Sequence, residues 1–128
     1  MKKILLVDDH ADIRRLIRIA LGKTFEVHEA EDGTLALEIA RRERPDLVVL
    51  DVMMPGALDG LQVLDAIRVD PALTHIHVIM VTARGQARDY DMGMTRGADA
   101  YFVKPFSPLQ LVAAIKEMLA KDDARVSP

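Results

Sequence analysis

Apolar residues recur along this chain in five short runs, and each run is followed by a segment whose hydrophobic residues return at helical spacing. The runs are Ile4 to Val7, Glu26 to Glu29, Leu47 to Leu50, Val78 to Val81 and Tyr101 to Val103. Such alternation of strand-like and helix-like segments is the pattern of a βα protein. The first, third and fourth runs have no polar alternation, which fits parallel strands covered on both faces, whereas Glu26-Val27-His28-Glu29 is half polar and suits a sheet edge. Between the runs, Ile13, Leu16, Ile17, Ala20 and Leu21 keep the spacing of an amphipathic helix, and so do Leu111, Ile115, Met118 and Leu119. Asp32-Gly33 opens a helix that should end before Pro45, and Gly60 precedes one carrying Val63, Leu64 and Ile67. The weakest pattern is Gln86 to Arg96, which Gly93 interrupts. Residues 122 to 128 have no periodicity and are expected to form a frayed tail outside a single domain spanning residues 1 to 121.

Five βα units close most simply as an open, doubly wound parallel sheet, whose ligand site lies beyond the carboxyl ends of the strands. The first strand runs into Asp8 and Asp9, the third into Asp51, the fourth into Thr82 and the fifth into Lys104. In the strand order 2-1-3-4-5 these four strands are neighbours, and all five side chains converge on one rim. Glu31 and Asp32, after the edge strand, are expected to lie away from it.

An acidic residue at a βα junction can simply cap a helix. That accounts for one of Asp8 and Asp9 but not for both. Asp51 is followed by Val52-Met53-Met54-Pro55, which does not start a helix. Three carboxylates a few ångströms apart repel one another by about 4 kcal/mol per pair at an effective dielectric near 20, so the group calls for a cation. An all-oxygen donor set open to water suits Mg²⁺, with Mn²⁺ as an alternative, better than Zn²⁺. With the cation in place Asp51 can act as a nucleophile toward phosphorus, while Lys104 and the Thr82 hydroxyl take the remaining oxygens of the transferring group. The product is an aspartyl phosphate.

Composition narrows the field further. The chain has 128 residues, half of them hydrophobic, enough for one core. Seventeen basic against twenty acidic residues give a formal charge of −3 with no long run of Lys and Arg, which disfavours direct nucleic-acid binding and an anionic membrane surface. Cysteine is absent, which excludes disulfides and thiolate metal sites. Met1-Lys2-Lys3 is charged like the start of a signal peptide, but the apolar run after it stops at two aspartates, and no stretch approaches a membrane-spanning length. A soluble, cytoplasmic protein is expected.

Five motifs now stand in order: Ile4-Leu5-Leu6-Val7-Asp8-Asp9, Asp46 to Pro55, Val81-Thr82-Ala83, Gly97-Ala98-Asp99-Ala100-Tyr101 and Val103-Lys104-Pro105-Phe106. Together they resemble the receiver domain of bacterial response regulators, the CheY-like family, over residues 2 to about 120. The resemblance implies a flavodoxin-like three-layer sandwich of five parallel strands and five helices. It implies that Asp51 is phosphorylated from a phosphohistidine on a sensor histidine kinase or phosphotransfer protein. It also implies that Asp9, Asp51 and the backbone carbonyl of Met53 hold Mg²⁺ directly, with Asp8 acting through water. Thr82 and Tyr101 become the switch pair, Lys104 the phosphate-contacting lysine, and Lys104-Pro105 a cis peptide. A phosphoryl charge would draw the Thr82 hydroxyl inward and let the Tyr101 ring turn, reshaping the surface of the fourth helix, fifth strand and fifth helix. That surface would meet a downstream protein or a second copy of the chain. The protein would be a switch and not a turnover enzyme, acting as a stand-alone regulator or as the receiver of a larger one.

Competing functions fit less well. A phosphohydrolase of the haloacid dehalogenase type needs a second Asp two residues after the nucleophile, where this chain has Met53. A flavin-binding module needs a Ser/Thr/Gly-rich phosphate loop after the first strand, where Asp8 and Asp9 would repel phosphate. The loop from Met54 to Gly60 is one residue longer than the usual form in the family. Met53 and Arg84 should flank the entry for attacking water and are expected to hinder it and prolong the phosphorylated state, although Arg84 reads equally as a solvated surface charge. Arg14, Arg15 and Arg18 form either a solvated face of the first helix or, with the loop after the fifth strand, a kinase-docking surface. His10, His28, His75 and His77 show no ligand-like arrangement, and the seven methionines read as packing.

Overall fold

The computed structural model describes residues 1–83 and 87–126. Among them β1 (Lys2–Val7), α1 (Ala11–Leu21), β2 (Phe25–Ala30), α2 (Gly33–Glu43), β3 (Leu47–Asp51), α3 (Gly60–Val69), β4 (His77–Ala83), α4 (Ala87–Thr95), β5 (Ala100–Lys104) and α5 (Pro108–Val126) alternate. All strand pairs are parallel, in the order β2-β1-β3-β4-β5, so the half-polar β2 is an edge as its sequence implied.

The pleat sorts the core into two layers. Because successive strand side chains point to opposite faces, Leu5, Val7, Val48, Leu50, Val78 and Met80 pack on the side of α2, α3 and α4. Ile4, Leu6, Leu47, Val49, Ile79 and Val81 pack on the side of α1 and α5. The strands are therefore apolar on both faces, which explains why their sequences carry no alternation.

Helix starts follow local chemistry. The Asp32 carboxylate caps α2 by accepting from the Leu35 N–H at 2.8 Å. Asp59 and Gln62 form a reciprocal capping box at the start of α3, with bonds of 2.9 and 2.8 Å. The first residue of α3 is Gly60, and only glycine fits there. A Cβ at this position would lie 2.2 Å from the Asp51 carbonyl oxygen and 2.7 Å from the Val52 Cα. The Gly60 N–H also donates to the Val52 carbonyl at 2.9 Å, so α3 begins pressed against the end of β3.

Three expectations change. Leu16 does not join the buried stripe of α1: Ile17 and Leu21 face α5, while Leu16 remains 56% exposed at the edge of a groove. The Arg14 side chain, 15% exposed, is not part of a solvated face, whereas that of Arg18 remains 47% exposed. Their Nε atoms each donate to the Glu29 carboxylate at 2.8 Å, binding α1 to the edge strand. Finally, α5 runs to Val126, so residues 122–126 extend the last helix and do not form the expected tail. Asp122 is tied to the sheet there, its Oδ2 2.7 Å from His77 Nε2, a tertiary contact that residue spacing alone does not disclose.

The contact at Gly60 generates a prediction. Gly60→Ala must push α3 away from the end of β3 and is expected to lower stability to urea by about 1–3 kcal/mol. An unchanged unfolding midpoint would contradict this close approach.

Candidate functional site

The rim at the carboxyl ends of the strands gathers the expected residues, and pleat parity explains how. The backbone ladder continues past β1, with the Asp8 N–H donating to the Ala30 carbonyl at 3.1 Å. Asp8, Asp51 and Lys104 consequently extend the row of side chains that faces α1 and α5. The Lys104 Nζ lies 3.0 Å from Asp8 Oδ2 and 3.1 Å from Asp51 Oδ2. Lys104 belongs to β5 and Asp51 to β3, so the lysine reaches across β4 at Ala83, its register partner, whose small side chain leaves the path open.

Asp8 and Asp51 are only 5% and 4% exposed. Burial, and then the Asp8 charge, push the Asp51 carboxyl above its ordinary value, partly offset by Lys104 and by the Met53 N–H, which donates to Asp51 Oδ1 at 3.2 Å. Burial pulls the Lys104 ammonium down, but its bonds to Asp8 and Asp51 outweigh this and its pKa is raised. The three groups are thus mutually dependent: the lysine stays charged because the carboxylates are there, and they remain under-neutralised by a single cation.

Asp9 lies beside them and is more exposed, within a group in which one ligand atom each from Asp8, Asp9, His10 and Asp51 falls within 4.8 Å of all the others. His10 was not expected there. It stands at the N-cap of α1, where its side chain makes no capping bond and Nδ1 instead sits 3.1 Å from Asp8 Oδ1 and 3.2 Å from Asp9 Oδ1. Neither aspartate is the cap. The Asp8 Oδ1 accepts from the His10 N–H at 2.8 Å, and Arg14 Nη1 donates to the Asp8 carbonyl, fixing the turn. Sequence reasoning missed Arg14 in this role, although its place one turn into α1 after the Asp pair was the available signal. Glu31 and Asp32, expected to lie away, line a cavity with Asp9, Pro55 and Gly56 and so border the site.

Thr82 is 1% exposed, and its hydroxyl has no hydrogen-bond partner among the described residues. On β4 it follows Met80 on the face toward α4, while Tyr101 pairs in register with Met80 and packs against the same core. Thr82 and Tyr101 are therefore diagonal neighbours on one face of adjacent strands. Met53 is 64% exposed beside Asp51, and Arg84 and Gln86 lie outside the described residues. The Lys104-Pro105 peptide is cis, as the resemblance implied.

Residues 4–116 match the family model for the response regulator receiver domain. This chain belongs to that family. A CheY-like receiver domain protein from Methanospirillum hungatei JF-1 superposes with a TM-score of 0.88 at 28% identity, covering 98% of each chain. The chemotaxis protein CheY4 of Vibrio cholerae gives a TM-score of 0.83 at 31% identity, covering 91% of this chain and 98% of the other. Among curated proteins, the "probable transcriptional regulator ycf27" of Cyanophora paradoxa is 46% identical over 95% of this chain and 50% of its own length. The DNA-binding response regulator MtrA of Mycobacterium tuberculosis is 39% identical over 95% of this chain and 52% of its own. This receiver thus spans about half the length of the curated relatives it matches. Its fold is the flavodoxin-like, CheY-like one, and no helix among the described residues is long and apolar enough to cross a membrane.

Electrostatics of the receiver rim yield a pH prediction. Because the Asp51 pKa is raised in the folded chain, the stability it contributes is fully present below its ordinary value of 3.8 and is lost as pH rises through the raised value. In chelator-treated buffer at neutral pH, Asp51→Asn is expected to raise the thermal midpoint above that of the parent chain, with the gain shrinking as pH falls toward 3.8. A gain that grows on acidification would show the opposite sign.

Proposed function

We propose that this receiver takes a phosphoryl group onto Asp51 from a phosphohistidine of a histidine kinase or phosphotransfer protein, in a Mg²⁺-dependent step. The observation that carries this is the Lys104 ammonium shared by the buried carboxylates of Asp8 and Asp51, beside the open carboxylate of Asp9. The donor set fits a small, hard divalent cation: Asp9 and Asp51, with the Met53 carbonyl, would hold it, and Asp8 would act through water. Bound there, Mg²⁺ would supply charge that offsets the oxygens of the transferring group.

The chain's own residues do the rest. An oxygen of Asp51 forms the new bond to phosphorus as the P–N bond breaks, its electron pair staying on the departing imidazole, which takes up a proton. Lys104, already 3.1 Å from Asp51, moves to a phosphoryl oxygen. The Thr82 hydroxyl, buried without a partner, gains an acceptor by rotating toward that group. Its departure opens space for the Tyr101 ring on the same face, changing the outer surface of α4, β5 and α5. Val103, 43% exposed on β5, belongs to that surface, where a downstream protein or a second copy would bind. The donor would approach over the apolar groove of about 360 Å³ lined by Ile13, Leu16, Ala83, Pro105, Phe106 and Pro108, with Lys104 in its wall. The groove adjoins the site and accounts for the exposure of Leu16. Any DNA binding of the kind named for MtrA would belong to a partner or to another domain, since this chain has a net charge of −3. Met53, in place of a second carboxylate, leaves slow loss of the phosphoryl group and no hydrolytic turnover.

Incubation with Mg²⁺ and acetyl phosphate is expected to add one phosphoryl group, labile to base, that Asp51→Asn abolishes and Lys104→Ala strongly slows. A modification that survives Asp51→Asn, or none with the parent chain, would overturn the proposal.

A further inference from the structure

We infer that His10 supplies a nitrogen ligand to the cation site, so that the site discriminates in favour of transition-metal divalent ions over Mg²⁺; this rests on the cation site proposed above. The first support is geometric. Around a small octahedral ion with bonds of about 2.1 Å, adjacent ligand atoms lie about 3.0 Å apart. His10 Nδ1 is 3.1 Å from Asp8 Oδ1 and 3.2 Å from Asp9 Oδ1, and with an oxygen of Asp51 all four atoms fall within 4.8 Å of one another. The imidazole thus already occupies the edge of a coordination shell.

Its freedom to act is the second support. The His10 side chain is 62% exposed, makes no capping bond for α1, and among the described residues contacts the two aspartates. Shifting the ring proton to Nε2 exchanges the Nδ1–H bond to Asp8 for a lone pair toward a metal ion and leaves the helix start intact, because Asp8 Oδ1 still accepts the His10 backbone N–H. The Thr82 hydroxyl, 1% exposed and without a partner among the described residues, stands on the strand next to Asp51.

The consequence is chemical. Carboxylates alone favour Mg²⁺ or Mn²⁺, whereas imidazole contributes little to Mg²⁺ and much to Co²⁺, Ni²⁺ or Zn²⁺. A mixed nitrogen and oxygen set therefore converts a Mg²⁺ site into one that trace transition metal can claim. The other histidine cluster, Glu26, His28 and Glu43, is a weaker candidate because the Lys3 ammonium is already 3.3 Å from Glu43 and 3.8 Å from Glu26.

Titration of the full chain with Co²⁺, followed by its d–d absorption and by calorimetry, and competition with Mg²⁺ test this directly. His10→Asn keeps a polar group against Asp8 but removes the imidazole lone pair. It is expected to weaken Co²⁺ binding at least about tenfold while changing Mg²⁺ binding less than about twofold. His28→Ala is expected to leave both unchanged. Equal Co²⁺ affinity in the parent chain and His10→Asn, equal losses for both ions, or a loss confined to His28→Ala would each overturn the inference. If Mg²⁺ binding and acetyl phosphate modification persist in any of those cases, only the role of His10 fails. If Mg²⁺ neither binds nor supports modification, the proposed cation site fails with it.

Discussion

The fold's chemistry depends on one ammonium group standing between two buried carboxylates. Asp8 and Asp51 sit on adjacent strands with almost no exposure, and Lys104 is 3.0 and 3.1 Å from them. Removing two such charges from water is costly, and one nearby cation offsets only part of that cost. The remainder shows as the raised Asp51 pKa. A carboxylate held this way is poorly solvated and ready for an additional positive charge or an electrophile, and the rest of the architecture serves to keep it there. Parallel register aligns the strand ends, parity aims the three side chains to one side, and Gly60 lets α3 press against the backbone of Asp51 and Val52.

The opposite end of the sheet shows how differently polar residues behave when they are structural. There the Asp99 Oδ2 accepts from the Val78 N–H at 2.8 Å and from Arg68 Nη2 at 3.0 Å, while Arg68 also donates to the carbonyls of Gly97 and Ile76. The carboxylate has a neutralising guanidinium and a backbone donor, so it is satisfied without a ligand. Asp99 lies in one of the motifs that carried the family resemblance, yet its work is to join β4, α3 and the α4–β5 turn.

How much was legible in the sequence follows from which contacts are local. Continuous apolar runs announced β1, β3 and β4 because both sheet faces are covered, and strand-end polar residues announced the rim because strand ends in this topology share one side. Helix spacing announced α1 and α5 but overstated the buried stripe by Leu16, since spacing gives a face and not the width of what covers it. The unread features are long-range pairings of residues with ordinary local sequence. Arg14 and Arg18 could not be assigned to Glu29, nor His77 to Asp122, without knowing that α1 lies along β2 and that α5 ends near the start of β4. His10 was passed over because metal-ligand spacing was sought along the chain, whereas its partner beyond the adjacent aspartates, Asp51, comes from another strand.

Thr82 carries a cost that the proposed function would relieve. A buried hydroxyl without a partner costs about 1–3 kcal/mol, and this one is the buried side-chain polar atom among the described residues that lacks a bond. The cost is relieved only when an acceptor comes within reach, and the adjacent strand end, Asp51, is where such an acceptor would be made. A Thr82 rotamer that is favourable in the presence of a phosphoryl oxygen and unfavourable in its absence is a two-state element biased by a local charge. Tyr101, diagonal to it on the same sheet face and packed toward α4 beside Gly93, is placed to feel which rotamer is occupied. Under the proposed function the information carried outward would be steric: a small volume vacated beside one aromatic ring, read at a surface that Asp51 itself does not touch.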